Sequence, residues 1–100
     1  MKRRTVTFSP EARDDLIELY EWIAAAAGPR IAMAYVERLE AYCLGFDLAA
    51  ERGHLRDDIR PGLRIVGFER RVAVAFRVKD KQVTILRLFS KGSNWDQTFE

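Results

Sequence analysis

Residues 61–78 read PGLRIVGFERRVAVAFRV and residues 83–89 read VTILRLF, and these runs limit the fold more than anything else in the chain. Their apolar side chains recur at every second position, the period of a strand and not of a helix. The links FERR at 68–71 and KDKQ at 79–82 read as hairpin turns, so the three strands form an antiparallel meander. Alternation then divides the side chains between two faces. Leu63 and Ile65, then Val72, Val74, Phe76 and Val78, then Leu86 and Leu88 are assigned to the core face. Arg64, Val66, Phe68, Ala73, Ala75, Arg77, Ile85, Arg87 and Phe89 fall on the other. Each strand thus carries an arginine among apolar neighbours. A buried, unpaired guanidinium is too costly, so each must reach water, a carboxylate or a phosphate.

Upstream the period changes. RTVTF, residues 4–8, is a short strand with Val6 and Phe8 on one side. Ser9 then caps a helix with Pro10 in its first turn, where a missing N–H costs nothing, and Glu11, Asp14 and Asp15 lie near the positive end of its dipole. Ala12, Leu16, Leu19, Tyr20 and Ile23 form its apolar stripe. AAAAGP ends it, because Gly28 takes a left-handed conformation readily and Pro29 suits the start of a second helix. That helix is expected from about Pro29 to Glu51, closed by Gly53, with Ala32, Tyr35, Val36, Leu39, Tyr42, Cys43 and Phe46 on its buried side. The class is therefore α+β: a short N-terminal strand, an antiparallel two-helix hairpin and a three-stranded antiparallel meander. At 100 residues and 48% apolar, the chain fits a single domain over residues 1–100.

Two helices cover only one face of such a sheet. The opposite face, with its large apolar side chains and three arginines, is read as a partner site. The alternative is that the tail SNWDQTFE folds Trp95 and Phe99 over it. Charge favours a partner. Residues 9–51 hold three basic groups against nine acidic ones, a net of −6, while residues 56–91 hold ten basic and four acidic, a net of +6. The overall +2 hides a dipolar molecule that steers an acidic partner to the sheet.

Several classes of chemistry find no support in the sequence. No stretch reaches the roughly 18 uncharged apolar residues of a membrane span, and MKRRTVTFSPEARDD lacks the apolar core of an export signal, so a cytosolic protein is expected. Cys43 is the only cysteine, which rules out an internal disulfide or a cysteine metal cluster, and it is read as a buried apolar residue. Arg56, Asp57 and Asp58 read as turn and capping residues. The chain has no glycine-rich phosphate loop, zinc-ligand spacing or Ser/His/Asp set, and no cofactor or metal is expected.

The run FSPEARDDLIELYEWI, the phrase DIRPGLRIVGFERRVAVAFRV and the closing VTILRLFSKGSNW resemble the ParE branch of the RelE/ParE toxin superfamily, from Val6 to Trp95. The resemblance implies a small bacterial toxin of a type II toxin-antitoxin module, neutralised by a ParD-like antitoxin whose C-terminal segment wraps it. ParE-like toxins are associated with inhibition of DNA gyrase, and RelE-like relatives with cleavage of messenger RNA on the ribosome. RNA cleavage needs a proton acceptor, phosphate-stabilising cations and a donor to the leaving oxygen. The cations are here, but His54 lies in a loop, Tyr20, Tyr35 and Tyr42 belong to helices, and arginine stays protonated. Lys91 would serve only with a strongly lowered pKa. Ser90, Ser93 and Asn94 also stand where ParE-like chains often have a His or Tyr and an Arg-Asp pair. The reading is thus a toxin that acts by binding, with gyrase as target. Arg64, Arg77, Arg87 and Lys91 are its basic contacts, and Phe68, Phe89 and Trp95 its apolar anchors. Direct nucleic-acid binding is less favoured. The alternatives are a ribosome-dependent ribonuclease and a degenerate toxin that retains only antitoxin binding.

Overall fold

The computed structural model describes residues 3–90. The elements are β1 (Thr5–Phe8), α1 (Pro10–Ala27), α2 (Pro29–Leu44), a 3-10 turn (Gly45–Asp47), β2 (His54–Leu55), β3 (Leu63–Phe68), β4 (Val72–Val78) and β5 (Gln82–Ser90). The expected α+β class is the one found, but the meander sits inside a five-stranded mixed sheet of order β1-β5-β4-β3-β2. β1 runs parallel to β5, and the remaining pairs are antiparallel.

Ser9 joins the two layers. Its Oγ accepts from the Ala12 N–H at 3.0 Å, capping α1, and donates to the Leu86 carbonyl at 2.9 Å, holding the helix start on β5. Gly28, at φ 100°, closes α1 and opens α2: its N–H donates to the Ala24 carbonyl and its own carbonyl accepts from Ala32. The helices bury Ala12, Tyr35, Leu39 and Cys43 against Val74, Phe76, Val83 and Ile85. No helix of the described residues is long and apolar enough to cross a membrane.

Four expectations need correction. α2 stops at Leu44, well before Glu51. The chain tightens into the 3-10 turn so that Asp47 can accept from the Arg4 N–H at 2.7 Å. Phe46 still turns inward, 4.7 Å from the Phe76 ring centre, so its helical spacing persists outside the α-helix. Gly53 does not cap α2. It has φ 73°, and a side chain there would meet the Ile65 carbonyl at 2.3 Å, so only glycine allows the loop this close to β3. The stretch expected to be wholly loop contributes β2, paired through His54 with Ile65.

The fourth correction concerns the faces. Phe68 pairs with Val72, which points to the helices, so Phe68 and then Val66 must share that face. Leu63 and Ile65 therefore lie on the far side, the reverse of the expected assignment. In β5, Ala75 pairs with Arg87 and Phe76 with Ile85, leaving Leu86 as an extra residue at a bulge. The bulge reverses the alternation: Val83 and Ile85 face the helices before it, and Leu88 after it. The far face forms a second, small core of Leu63, Ile65, Ala75 and Phe89, each at most 9% exposed, with Ile59 and Leu86 against it. These buried side chains are not the exposed apolar patch that alternation implied. The tail with Trp95 and Phe99 lies outside the described residues.

Candidate functional site

The arginines of the three strands do not converge. Arg64 shares a face with its pair partner Phe76, on the helix side, and donates to the Arg52 carbonyl at 3.3 Å. Arg77 pairs with Leu63 on the far side. Arg87 stacks on Phe89, 5.0 Å from the ring centre, and grips Asp15 of α1 with Nε at 2.8 Å and Nη2 at 3.2 Å. Asp15 also accepts from the Leu88 N–H at 2.9 Å, completing the edge of β5 beyond its last pairing with β1. Phe68 is an interior residue, edge-on to Tyr35 at 5.6 Å and tilted against Tyr42 at 5.1 Å. Lys91 and Trp95 lie outside the described residues.

The structure instead assembles a groove between α1 and the tip of the β3–β4 hairpin. Leu19, Ile23, Val72 and Leu88 supply its apolar lining. Trp22 stands on its wall, 63% exposed. Glu18 and Asp15 flank one end, and Glu69, Arg70 and Arg71 the other, beside Tyr35. Ser90, the last residue of β5, borders both ends.

The basic end is built under strain. Glu69 and Arg70 have φ 48° and 59°, left-handed values at both central positions of the turn, and the Arg71 N–H donates to the Phe68 carbonyl at 3.1 Å. Asparagine and glycine adopt this geometry easily, whereas glutamate and arginine do not. Glu69 is occupied by a two-point bond from Arg38 at 2.9 and 3.1 Å, which holds its carboxyl below the ordinary range. Arg38 also lies over the Tyr35 ring at 5.3 Å. Among the described residues Arg70 and Arg71 form no ion pair. The Tyr35 hydroxyl is buried without a hydrogen-bond partner among the described residues, and burial is the main cause of its raised pKa. Chemically the groove holds an apolar seat with one acidic and one net basic end.

Sequence reasoning missed Trp22, Arg70 and Arg71. Two signals were present: Trp22 follows Leu19 by three residues at the margin of the apolar stripe, and FERR makes a tight turn without glycine or asparagine. Among the described residues no cluster of three or more His, Cys, Asp or Glu is placed to hold a metal ion.

The family model described as the ParE toxin of the type II toxin-antitoxin system, parDE, matches residues 6–95. A chain of the chromosomal ParDE toxin-antitoxin system from P. aeruginosa superposes with a TM-score of 0.77 at 27% identity, covering 88% of this chain and 96% of that one. A chain of the RelBE2 toxin-antitoxin complex from Mycobacterium tuberculosis gives a TM-score of 0.59 at 23% identity, covering 93% and 97%, a likeness of fold. No curated protein matches.

Proposed function

Because this chain belongs to the ParE toxin family of type II toxin-antitoxin systems, we propose that it acts by binding a target protein, DNA gyrase, and that an antitoxin silences it by filling the groove along α1. The observation that carries the docking site is Trp22, 63% exposed beside Arg70 and Arg71, which form no ion pair among the described residues. Aromatic and arginine side chains dominate interface energetics, and a surface tryptophan next to apolar lining gains much from being covered. The similar solved structures are toxin-antitoxin systems, which supports an antitoxin as partner.

Action by binding is supported by the dispersal of the strand arginines. Arg64 and Arg77 point to opposite faces, and Arg87 is held by Asp15, so the three do not surround one phosphate. His54 is exposed on β2, separated from β5 in the sheet by β4 and β3. Tyr35 and Tyr42 are engaged with Phe68. In this reading Arg77 and Arg87, with Lys91 and Trp95, belong to the target-binding surface. Phe89 is buried beneath Arg87 and Arg64 lies on the opposite face, so neither joins it, and Trp22 in place of the buried Phe68 anchors the antitoxin.

The test is a supercoiling assay with purified gyrase beside a cleavage assay on ribosome-bound messenger RNA. Loss of supercoiling that is restored by the antitoxin is the expected result. Cleaved messenger with supercoiling intact would make the chain a ribonuclease. A chain that leaves growth unaffected when expressed without its antitoxin would be a binding partner that no longer acts as a toxin.

A further inference from the structure

We infer that the groove recognises an acidic side chain of the antitoxin, seated between Arg70 and Arg71 and accepting a hydrogen bond from the Tyr35 hydroxyl. This rests on the reading of the groove as the antitoxin's docking site and specifies the chemistry of the occupant.

Three independent features meet at this end of the groove. The first is charge. Glu69, the carboxylate nearest in sequence, is held by Arg38 and acts on Arg71 only through space, so Arg70 and Arg71 have no ion-pair partner among the described residues and this end keeps a net positive charge. The second is backbone strain. The turn adopts left-handed geometry at Glu69 and Arg70, side chains that disfavour it, and both line the groove. The third is Tyr35, 6% exposed, with its hydroxyl unpaired among the described residues. A neutral phenol is a hydrogen-bond donor, and a carboxylate flanked by two guanidinium groups is its strongest available acceptor. The hydroxyl is covered in the free chain, so the carboxylate reaches it as the exposed side chains of Arg70 and Arg71 re-form around the incoming group.

The opposite end fixes the placement. Glu18 is exposed and Asp15 borders the same stretch, so an acidic residue there would be repelled. The apolar span of Leu19, Trp22, Ile23 and Val72 lies between the two ends. The occupant therefore carries apolar side chains along that span and its acidic residue at the hairpin tip.

The experiment is calorimetric titration of the full chain with the antitoxin encoded beside it. Tyr35→Phe is expected to weaken binding about tenfold, the scale of one charge-assisted hydrogen bond. The free variant should melt no lower than the parent, because it loses only an unsatisfied hydroxyl. Arg71→Gln should also weaken binding, and the double variant should lose less than the two single losses combined, since both groups read one carboxylate. Wild-type affinity in Tyr35→Phe overturns the inference. Trp22→Ala separates the two readings. If it weakens antitoxin binding while Tyr35→Phe does not, the groove stands and the recognition of an acid falls. If Trp22→Ala binds like the parent, the groove itself is not the docking site. Self-association of the free chain that Trp22→Ala abolishes would assign the groove to a second copy and overturn the inference as well.

Discussion

Asp15 receives two hydrogen bonds from Arg87 and one from the Leu88 N–H, with only 9% of its own side chain exposed. Removing the carboxylate orphans a backbone donor and a guanidinium that is itself 29% exposed. Removing the guanidinium leaves the carboxylate its bond from Leu88. Asp15→Ala should therefore cost about 2 to 4 kcal/mol and Arg87→Ala roughly 1 to 2 kcal/mol, read by urea denaturation. The order of the two matters more than either value; equal losses would mean that the Leu88 bond contributes nothing. Cys43 gives a second test at this scale. Burial pushes its thiol up to about 12, well above the ordinary thiol range. A folded pKa above the unfolded one means that its contribution is complete below the unfolded value and is lost as pH rises from about 9 toward about 12. At neutral pH the native thiol should react with aromatic disulfide reagents only as fast as the chain opens. Rapid native labelling would place Cys43 at the surface.

At the scale of elements, the helices and hairpins were legible because each is written in local chemistry: Ser9 and Pro10 at one helix start, Gly28 and Pro29 at the break, and a period of two from Leu63 onward. What was not legible depended on pairing. The face of β3 is set by Phe68 opposing Val72, and that of β5 by the extra Leu86, neither of which alternation alone records. β1 joins β5 as a parallel neighbour only after two helices intervene. Fully buried Leu39 was read correctly on the inner side of α2, and Leu39→Ala should cost roughly 2 to 5 kcal/mol. An unchanged melting temperature would contradict that packing. The hairpin tip makes the opposite prediction. Arg70→Gly relieves a left-handed residue, so stability should rise by up to about 1 kcal/mol even though glycine adds freedom to the unfolded chain. Antitoxin affinity should fall in the same variant. A gain in stability without a loss in binding would show that the strain has no part in docking.

At the scale of the molecule, the separation of charge was plain in the sequence, whereas the groove was not, since it joins Leu19 and Trp22 to Arg70, Arg71 and Ser90 from the far end of the chain. The fold makes the separation spatial. Glu11, Asp14, Glu18, Glu21, Glu37 and Glu40 are exposed on the helices, and Arg70, Arg71, Lys79 and Lys81 are exposed at the sheet's turns. An approaching acidic segment is repelled by one layer and drawn to the ends of the other. Such steering acts on the rate of encounter and fades as the Debye length falls from about 10 Å at about 0.1 M salt to about 3 Å at about 1 M. Once the segment is seated, its dissociation is governed by the contacts with Trp22 and the apolar lining, which salt screens little. Stopped-flow mixing of toxin and antitoxin should therefore show an association rate that drops about tenfold or more over that range, with the dissociation rate nearly constant. Arg71→Gln should flatten the salt dependence of association, while Trp22→Ala should leave its slope intact and speed dissociation. An association rate indifferent to salt would mean that the two-signed surface does not guide the encounter, and docking would then depend on the apolar contacts alone.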